Sequence, residues 1–316
     1  MYLYFVPPQP GALYTLLPWV LIVCIGVALS DVAADALMVE KGQPLGITGT
    51  LQSIQWTAMY SAMILTTALG GYLSQYRLQA VAYLICAAFM SLTFLLALFC
   101  VREAAPTVRG GTLRPALAAL GRSAVSPLVW VLVAYLFLWA FNPFSNAVLQ
   151  FYSIESLKMS EQFYGYTQSM LAVGSVVGSV AYGFYCRRVP FPWLVHLSIA
   201  TGVIATIAYW GMIGPVSAMV VSFIVGLTYM TGTLIQLDLA ARICPPAVAG
   251  TVFALLMSVS NAGLNSATWV GGQLYDAWAP QWGATTAFNL LVALGAAATA
   301  ASWLFVPLLN RYHRAA

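Results

Sequence analysis

Nine long apolar stretches, separated by short polar, glycine- or proline-bearing turns, run along this chain of 316 residues. They cover 12–36, 48–73, 79–101, 127–150, 162–186, 191–213, 215–241, 249–277 and 284–309. A helix crosses the hydrocarbon core of a bilayer with about 20 apolar residues. Inside lipid every backbone N–H and C=O must be paired within the segment, which makes the helix the natural form of each stretch. The pattern predicts an all-α polytopic membrane protein with about nine transmembrane helices. One connection stands apart. Residues 102–126, REAAPTVRGGTLRPALAALGRSAVS, are basic and rich in Gly and Pro, and read as a loop joining a helical part at 1–101 to a second at 127–316.

Composition supports the same picture. Hydrophobic residues make up 61% of the chain and charged residues 6%, against about 25% charged in soluble domains. Lipid is therefore the solvent for most of the surface. The net charge of +4 does not indicate a nucleic-acid partner, because the basic residues lie singly or in pairs between apolar stretches. They act instead as topology signals. With 102–126 on the cytoplasmic side, that side holds Lys41, Arg102, Arg109, Arg114, Arg122, Arg187, Arg188, Arg242, Arg311 and Arg314, and the outer side holds Arg77 and Lys158. Ten against two accounts for all 12 basic residues and predicts a cytoplasmic C-terminus in a cell inner or plasma membrane. The opening MYLYFVPPQP does not read as a signal peptide. Cys24, Cys86, Cys100, Cys186 and Cys244 show no metal-ligand spacing and read as small packing residues.

An internal repeat is present. Gly49-Thr50 and Gly70-Gly71-Tyr72-Leu73 bracket the second span, and Gly250-Thr251 and Gly271-Gly272-Gln273-Leu274 bracket the eighth, at one spacing (250 − 49 = 271 − 70 = 201). Thr67 and Thr268 match at the same spacing, and Asp31-Val-Ala-Ala-Asp35 precedes the first pair as Asp238-Leu-Ala-Ala-Arg242 precedes the second. A shift of six helices is the plan of major facilitator transporters, built from parallel six-helix repeats. Six spans follow 102–126 and three precede it, so the nine correspond to helices 4–12 of that plan, with the first three missing.

The segments SDVAADALMVE (Ser30–Glu40), QFYSIESLKMSEQFYG (Gln150–Gly165) and LAARICPPAVAGTVFALLMSVSNAG (Leu239–Gly263) resemble the folate/biopterin transporter branch of the major facilitator superfamily. The resemblance implies secondary transport of a small solute, often folate or a pterin, typically driven by protons. Relatives of this pattern also carry other solutes, including cell-wall fragments. Residues that the absent helices contribute in the family have no counterpart here.

Ionisable groups inside a membrane read as functional. Asp31 and Asp35 are four apart and share a helix face. Two adjacent carboxylates in a low dielectric do not both ionise cheaply, which is the chemistry proton coupling needs; a gate pairing with an arginine is the competing role. Asp238 and Arg242 are also at i and i+4, and Arg187 and Arg188 follow the fifth span as further gate candidates. Polar stripes recur at helical spacing: Asn142, Ser145, Asn146 and Gln150 around Pro143; Gln52, Gln55, Trp56 and Tyr60; and Ser258, Asn261 and Asn265. Buried amides must find partners, either another helix or a wet cavity, and in the expected plan these helices line the central cavity. Trp56, Tyr60, Trp139 and Tyr229 are candidates for stacking on a flat ring. Gly174 and Gly178 form a G-x-x-x-G suited to close helix packing. His196 reads as peripheral.

Folate carries carboxylates that favour a buried cation, and no Lys or Arg lies in the middle of any span. A neutral pterin fits the residues present better. No H-E-x-x-H, G-x-S-x-G or G-x-x-x-x-G-K-[ST] motif occurs, so neither an enzyme nor direct ATP drive is indicated, and no cofactor is implied. The leading expectation is a solute transporter using protons as coupling ion and lipid as solvent. The alternative is a non-transporting remnant, since a bundle lacking three helices leaves its cavity open to lipid.

Overall fold

The computed structural model describes residues 13–100, 118, 121, 126–245 and 248–309. The basic residues Arg102, Arg109, Arg114, Arg122, Arg311 and Arg314, and nearly all of the 102–126 connection, lie outside the described residues. Among the described residues ten α-helices follow in order: α1 Leu13–Gly42, α2 Thr48–Gln75, α3 Gln79–Cys100, α4 Pro127–Ala140, α5 Asn146–Phe151, α6 Glu161–Tyr185, α7 Phe191–Ile207, α8 Pro215–Ile243, α9 Ala249–Trp282 and α10 Ala284–Ala301. No strand occurs among the described residues, and the expected all-α architecture holds.

Local chemistry sets the helix boundaries. Ser160 caps α6 by accepting from the Phe163 N–H at 3.1 Å. Pro215 opens α8, where its missing N–H costs nothing. Gly283, at φ +86°, ends α9 and lets α10 begin at once, a left-handed geometry that favours glycine.

Five helices are long and apolar enough to cross a membrane by composition: Leu17–Gly42, Gln79–Phe99, Pro192–Gly211, Pro215–Ile243 and Ala284–Leu309. Helices α2, α6 and α9 have 28, 25 and 34 residues and are also long enough. They are less apolar because polar side chains are interleaved along them.

The structure departs from the sequence expectation at three places. The stretch 127–150 is not one helix. It breaks at Phe141–Ser145, because Pro143 lacks an N–H and disfavours helical geometry at Asn142. Asn142 stabilises the break, its Oδ1 accepting from the Phe144 N–H at 3.0 Å, and Ser145 caps α5 through the Val148 N–H. Asn142 is thereby removed from a continuous stripe with Asn146 and Gln150. Helix α1 continues to Gly42, which puts Asp31 and Asp35 inside a helix and not at its end. Helix α9 runs on to Trp282 through Pro280.

Helix α6 sits between α2 and α8. A Cβ on Gly174 would collide with the Phe223 carbonyl oxygen, one on Gly178 would lie 2.7 Å from that of Leu227, and one on Gly226 would collide with that of Leu171. The two backbones therefore touch, as the G-x-x-x-G spacing predicts. Helix α7 packs on α8 and α10, and α9 packs on α4, α10 and the end of α1. One core cluster joins Leu136, Trp139, Ile199, Phe253 and Leu256. A second is built on Tyr152 and Phe288, whose rings stack at 4.0 Å. Helix α3 is mostly exposed along its length.

Candidate functional site

The helices enclose a cavity of about 210 Å³. Tyr60 and Met63 of α2 form one wall. Trp139 of α4, Asn142 and Ser145 of the break, Asn146 of α5, Gln168 of α6, Thr206 of α7, Tyr209, and Tyr229 of α8 line the rest. No charged side chain lines it. The Pro143 break explains why amides reach this space, since an unwound segment at membrane depth persists only where it faces protein or a cavity. Asn142 donates to Thr206 Oγ1 at 2.8 Å, so its amide is committed on both sides. Gln168 is different. Its Nε2 is buried with no hydrogen-bond partner, and the residue borders the cavity. An unpaired buried donor costs about 1–3 kcal/mol, so Gln168 is an unspent donor beside the cavity. Trp139 and Tyr229 stack at 5.7 Å and 28°, presenting flat aromatic surface alongside.

A polar latch closes the helix ends that carry Lys41, Arg187 and Arg242. Asp238 is 1% exposed and accepts three bonds: from Thr48 Oγ1 at 2.7 Å, from the Tyr182 hydroxyl at 2.9 Å, and from Arg242 one turn on. Arg242 also donates to the Cys186 carbonyl at 3.3 Å. Gly49 makes room for the carboxylate: a Cβ there would stand 3.0 Å from Asp238 Oδ2. Gln43 donates to the carbonyls of Ala241 and Cys244 at 3.2 and 2.7 Å, tying the turn after α1 to the end of α8. Ser53 adds a bond to the Ser179 carbonyl at 2.7 Å. Gly250, the repeat partner of Gly49, is crowded in the same way, its Cβ position lying 2.9 Å from the Ala36 Cβ of α1. The second repeat pair differs, for Gly70 faces open space while a Cβ on Gly271 would strike the Pro143 carbonyl oxygen. Just beyond the latch, burial pushes the Cys244 thiol up to about 12.

The sequence candidates thus divide. Tyr60, Asn142 and Asn146 meet at the cavity. Asp238 and Arg242 meet in the latch; Arg187 borders it with no ion pair among the described residues, and both Arg187 and Arg188 are exposed. Asp35 is half-buried and accepts from Gln55 Nε2 at 3.1 Å, while Asp31, one turn deeper, is exposed. Gln52 is buried beside Trp56, accepting from its indole N–H at 3.1 Å, and Trp56 stacks on Tyr60 at 5.9 Å. Gln150, Asn261 and Asn265 are exposed on α5 and α9 and do not reach the cavity. Gln168, Thr206 and Tyr209 were not among the candidates. The signal for Gln168 was available, as a lone amide inside an apolar span must find a partner or face a cavity.

These features define an integral, multi-pass α-helical membrane protein with a compact uncharged cavity between its helices. The chain belongs to the BT1 family, which matches residues 3–315. It is 27% identical over 264 residues to the "Folate-biopterin transporter" of Synechocystis sp., covering 75% of this chain and 51% of that protein. It is 25% identical over 288 residues to "Probable folate-biopterin transporter 5" of Arabidopsis thaliana, covering 83% and 56%. The chain therefore spans about half the length of the curated relatives it matches. The resemblance read from Ser30–Glu40, Gln150–Gly165 and Leu239–Gly263 is borne out at the level of family. Among solved structures it is similar to a bacterial homologue of the iron transporter ferroportin in an outward-facing state, at 18% identity and a TM-score of 0.45, covering 97% of this chain and 94% of that one.

Proposed function

We propose that this chain forms part of a secondary transporter that moves a small, uncharged heteroaromatic solute across the membrane by alternating access. The cavity carries the reading. Its lining combines aromatic and aliphatic side chains with the amides of Asn142, Asn146 and Gln168, a free donor at Gln168 and no cation, which suits a flat ring bearing acceptor nitrogens and carbonyls. Its volume of about 210 Å³ lies below the ~300–1,000 Å³ typical of drug-sized ligands. A pterin ring matches that size better than a whole folate with its carboxylated tail. The names of the relatives, folate-biopterin transporters, agree with such a solute.

In this proposal the latch around Asp238 is the gate at one end. Helix ends from 13–100 meet those of 126–309 there, so opening requires the bonds from Thr48, Gln43 and Ser53 to break together. Asp31 and Asp35 are the proton-carrying pair, with Asp31 the more accessible. The arginine-bearing end faces the cytoplasm by the positive-inside bias.

The test is flux into vesicles reconstituted with the protein, using radiolabelled biopterin and folate in parallel under an imposed pH gradient. Saturable biopterin uptake that exceeds folate uptake is expected. Asp31→Asn is expected to abolish gradient-driven accumulation while leaving exchange intact. Binding or flux that prefers folate, or the absence of any flux from a folded sample, overturns the reading.

A further inference from the structure

At the mouth of the latch lies a second hollow, of about 370 Å³, lined by Gln43, Gly46, Thr48, Arg187 and Arg242. We propose that it is an anion site that takes a phosphate group, carried by an acidic phospholipid headgroup or by a small phosphorylated solute. The inference does not depend on which solute the central cavity carries.

Three observations converge on it. Two guanidinium groups face one hollow, against a single carboxylate. Asp238 is 1% exposed and already accepts from Thr48, Tyr182 and Arg242, so it has little capacity left for a second arginine. Arg187 has no ion-pair partner among the described residues. Arg242 uses Nη2 for both Asp238 and the Cys186 carbonyl, which leaves its Nη1 and Nε donors without a partner there. Arginine's planar fork suits paired contacts to phosphate oxygens.

The third observation is the start of α2. Ile47 precedes this 28-residue helix and provides no side-chain cap, so its first N–H groups are left to another acceptor. A turn carrying Gly46 in the left-handed region at φ +63° leads into it, and both Gly46 and Thr48 border the hollow. A helix start beside two arginines favours an oxyanion. An anion seated there would bridge the turn at 42–48, the turn after α6 and the end of α8, the elements that the latch joins. It would therefore hold the latch shut, and its chemistry gives the hollow a regulatory role at the membrane surface, where acidic headgroups concentrate.

The experiment uses the full chain in bilayer discs, with unfolding temperature read from tryptophan fluorescence. Inorganic phosphate is added to phosphatidylcholine discs against chloride at equal ionic strength. In a second arm, phosphatidylglycerol replaces part of the phosphatidylcholine. At least one arm is expected to raise the unfolding temperature by about 2–4 °C. Arg187→Gln is expected to remove most of that rise, and Arg188→Gln, at a residue that does not line the hollow, to keep it. A shift with free phosphate identifies a soluble phosphorylated ligand as sufficient; a shift with phosphatidylglycerol alone identifies the lipid headgroup. Should R187Q fail to assemble, Arg187→Lys keeps the charge but loses the fork and is expected to show a reduced shift. No shift in either arm, or an undiminished shift in the Arg187 variant that assembles, overturns the proposal.

Discussion

Gly49 and Asp238 meet so closely that a Cβ on the glycine would lie 3.0 Å from one carboxylate oxygen and 3.3 Å from the other. The carboxylate has no freedom to withdraw, because Thr48, Tyr182 and Arg242 hold it. Gly49→Ala is therefore expected to destabilise the protein by about 1–2 kcal/mol despite alanine's better helix propensity, since overpacking a fixed site costs about 1–3 kcal/mol. Thermal unfolding in detergent checks this. An unchanged or higher unfolding temperature means the carboxylate can move after all.

Asp238→Ala strands two buried hydroxyls and an arginine. Breaking a buried pair costs about 3–5 kcal/mol, but Arg242 is 38% exposed and can turn to water. The expected loss is nearer 2–3 kcal/mol. Asp238→Asn, which still accepts from Thr48, is expected to lose less. A double variant with Arg242→Gln should be less than additive in unfolding free energy, as expected for groups that share a network.

Gln168 separates binding from folding. Its Nε2 bonds to nothing, so Gln168→Leu is expected to leave stability within about 1 kcal/mol or improve it. Solute affinity is expected to fall about tenfold, the value of roughly one hydrogen bond. Equilibrium binding of biopterin, set beside the unfolding curve, shows whether the two readouts part.

The Cys244 thiol stays neutral well above the ordinary value of 9.0, because burial disfavours its thiolate and pushes it up to about 12. Maleimide labelling of Cys244 is expected to remain negligible from pH 7 to 9 and to appear only on denaturation. The linked effect on stability has a definite sign. In the unfolded chain the thiol ionises near 9.0 and in the folded chain near 12. The stability it contributes is full below pH 9 and falls as pH rises from 9 towards 12. Cys244→Ala should flatten that part of the pH profile.

The membrane helices were legible because runs of apolar residues longer than a bilayer leave few alternatives, and Gly174 and Gly178 announced their contact with α8 through spacing alone. The kink at Pro143 was visible as a residue but not as a break, because proline inside a membrane helix is often tolerated. What decided the matter was Asn142 folding back onto the Phe144 N–H, a local competition that periodicity does not report. Asp238 and Arg242 were recognisable as a pair from i, i+4 spacing. Their partners Thr48 and Tyr182 were not, being 190 and 56 residues away along the chain. The stripe on α9 shows a related limit: spacing puts Asn261 and Asn265 on one face but does not say what that face meets.

Helices α6 and α8 approach backbone to backbone at Gly174, Gly178 and Gly226, with one hydroxyl, that of Ser175, donating across to the Gly226 carbonyl at 3.3 Å. Such a joint has few rotamers to exchange, so it resists small sliding adjustments. The opposite flank of α6 meets α2 less tightly, with Gly71 against Gly165 and with hydroxyls, Thr67 against Ser169 at 2.8 Å and Ser74 donating to Glu161 at 2.8 Å. Those bonds can be traded for water one at a time. Mechanical compliance is thus uneven around α6: the α8 side is the tighter joint, and the α2 side holds more bonds that water can replace.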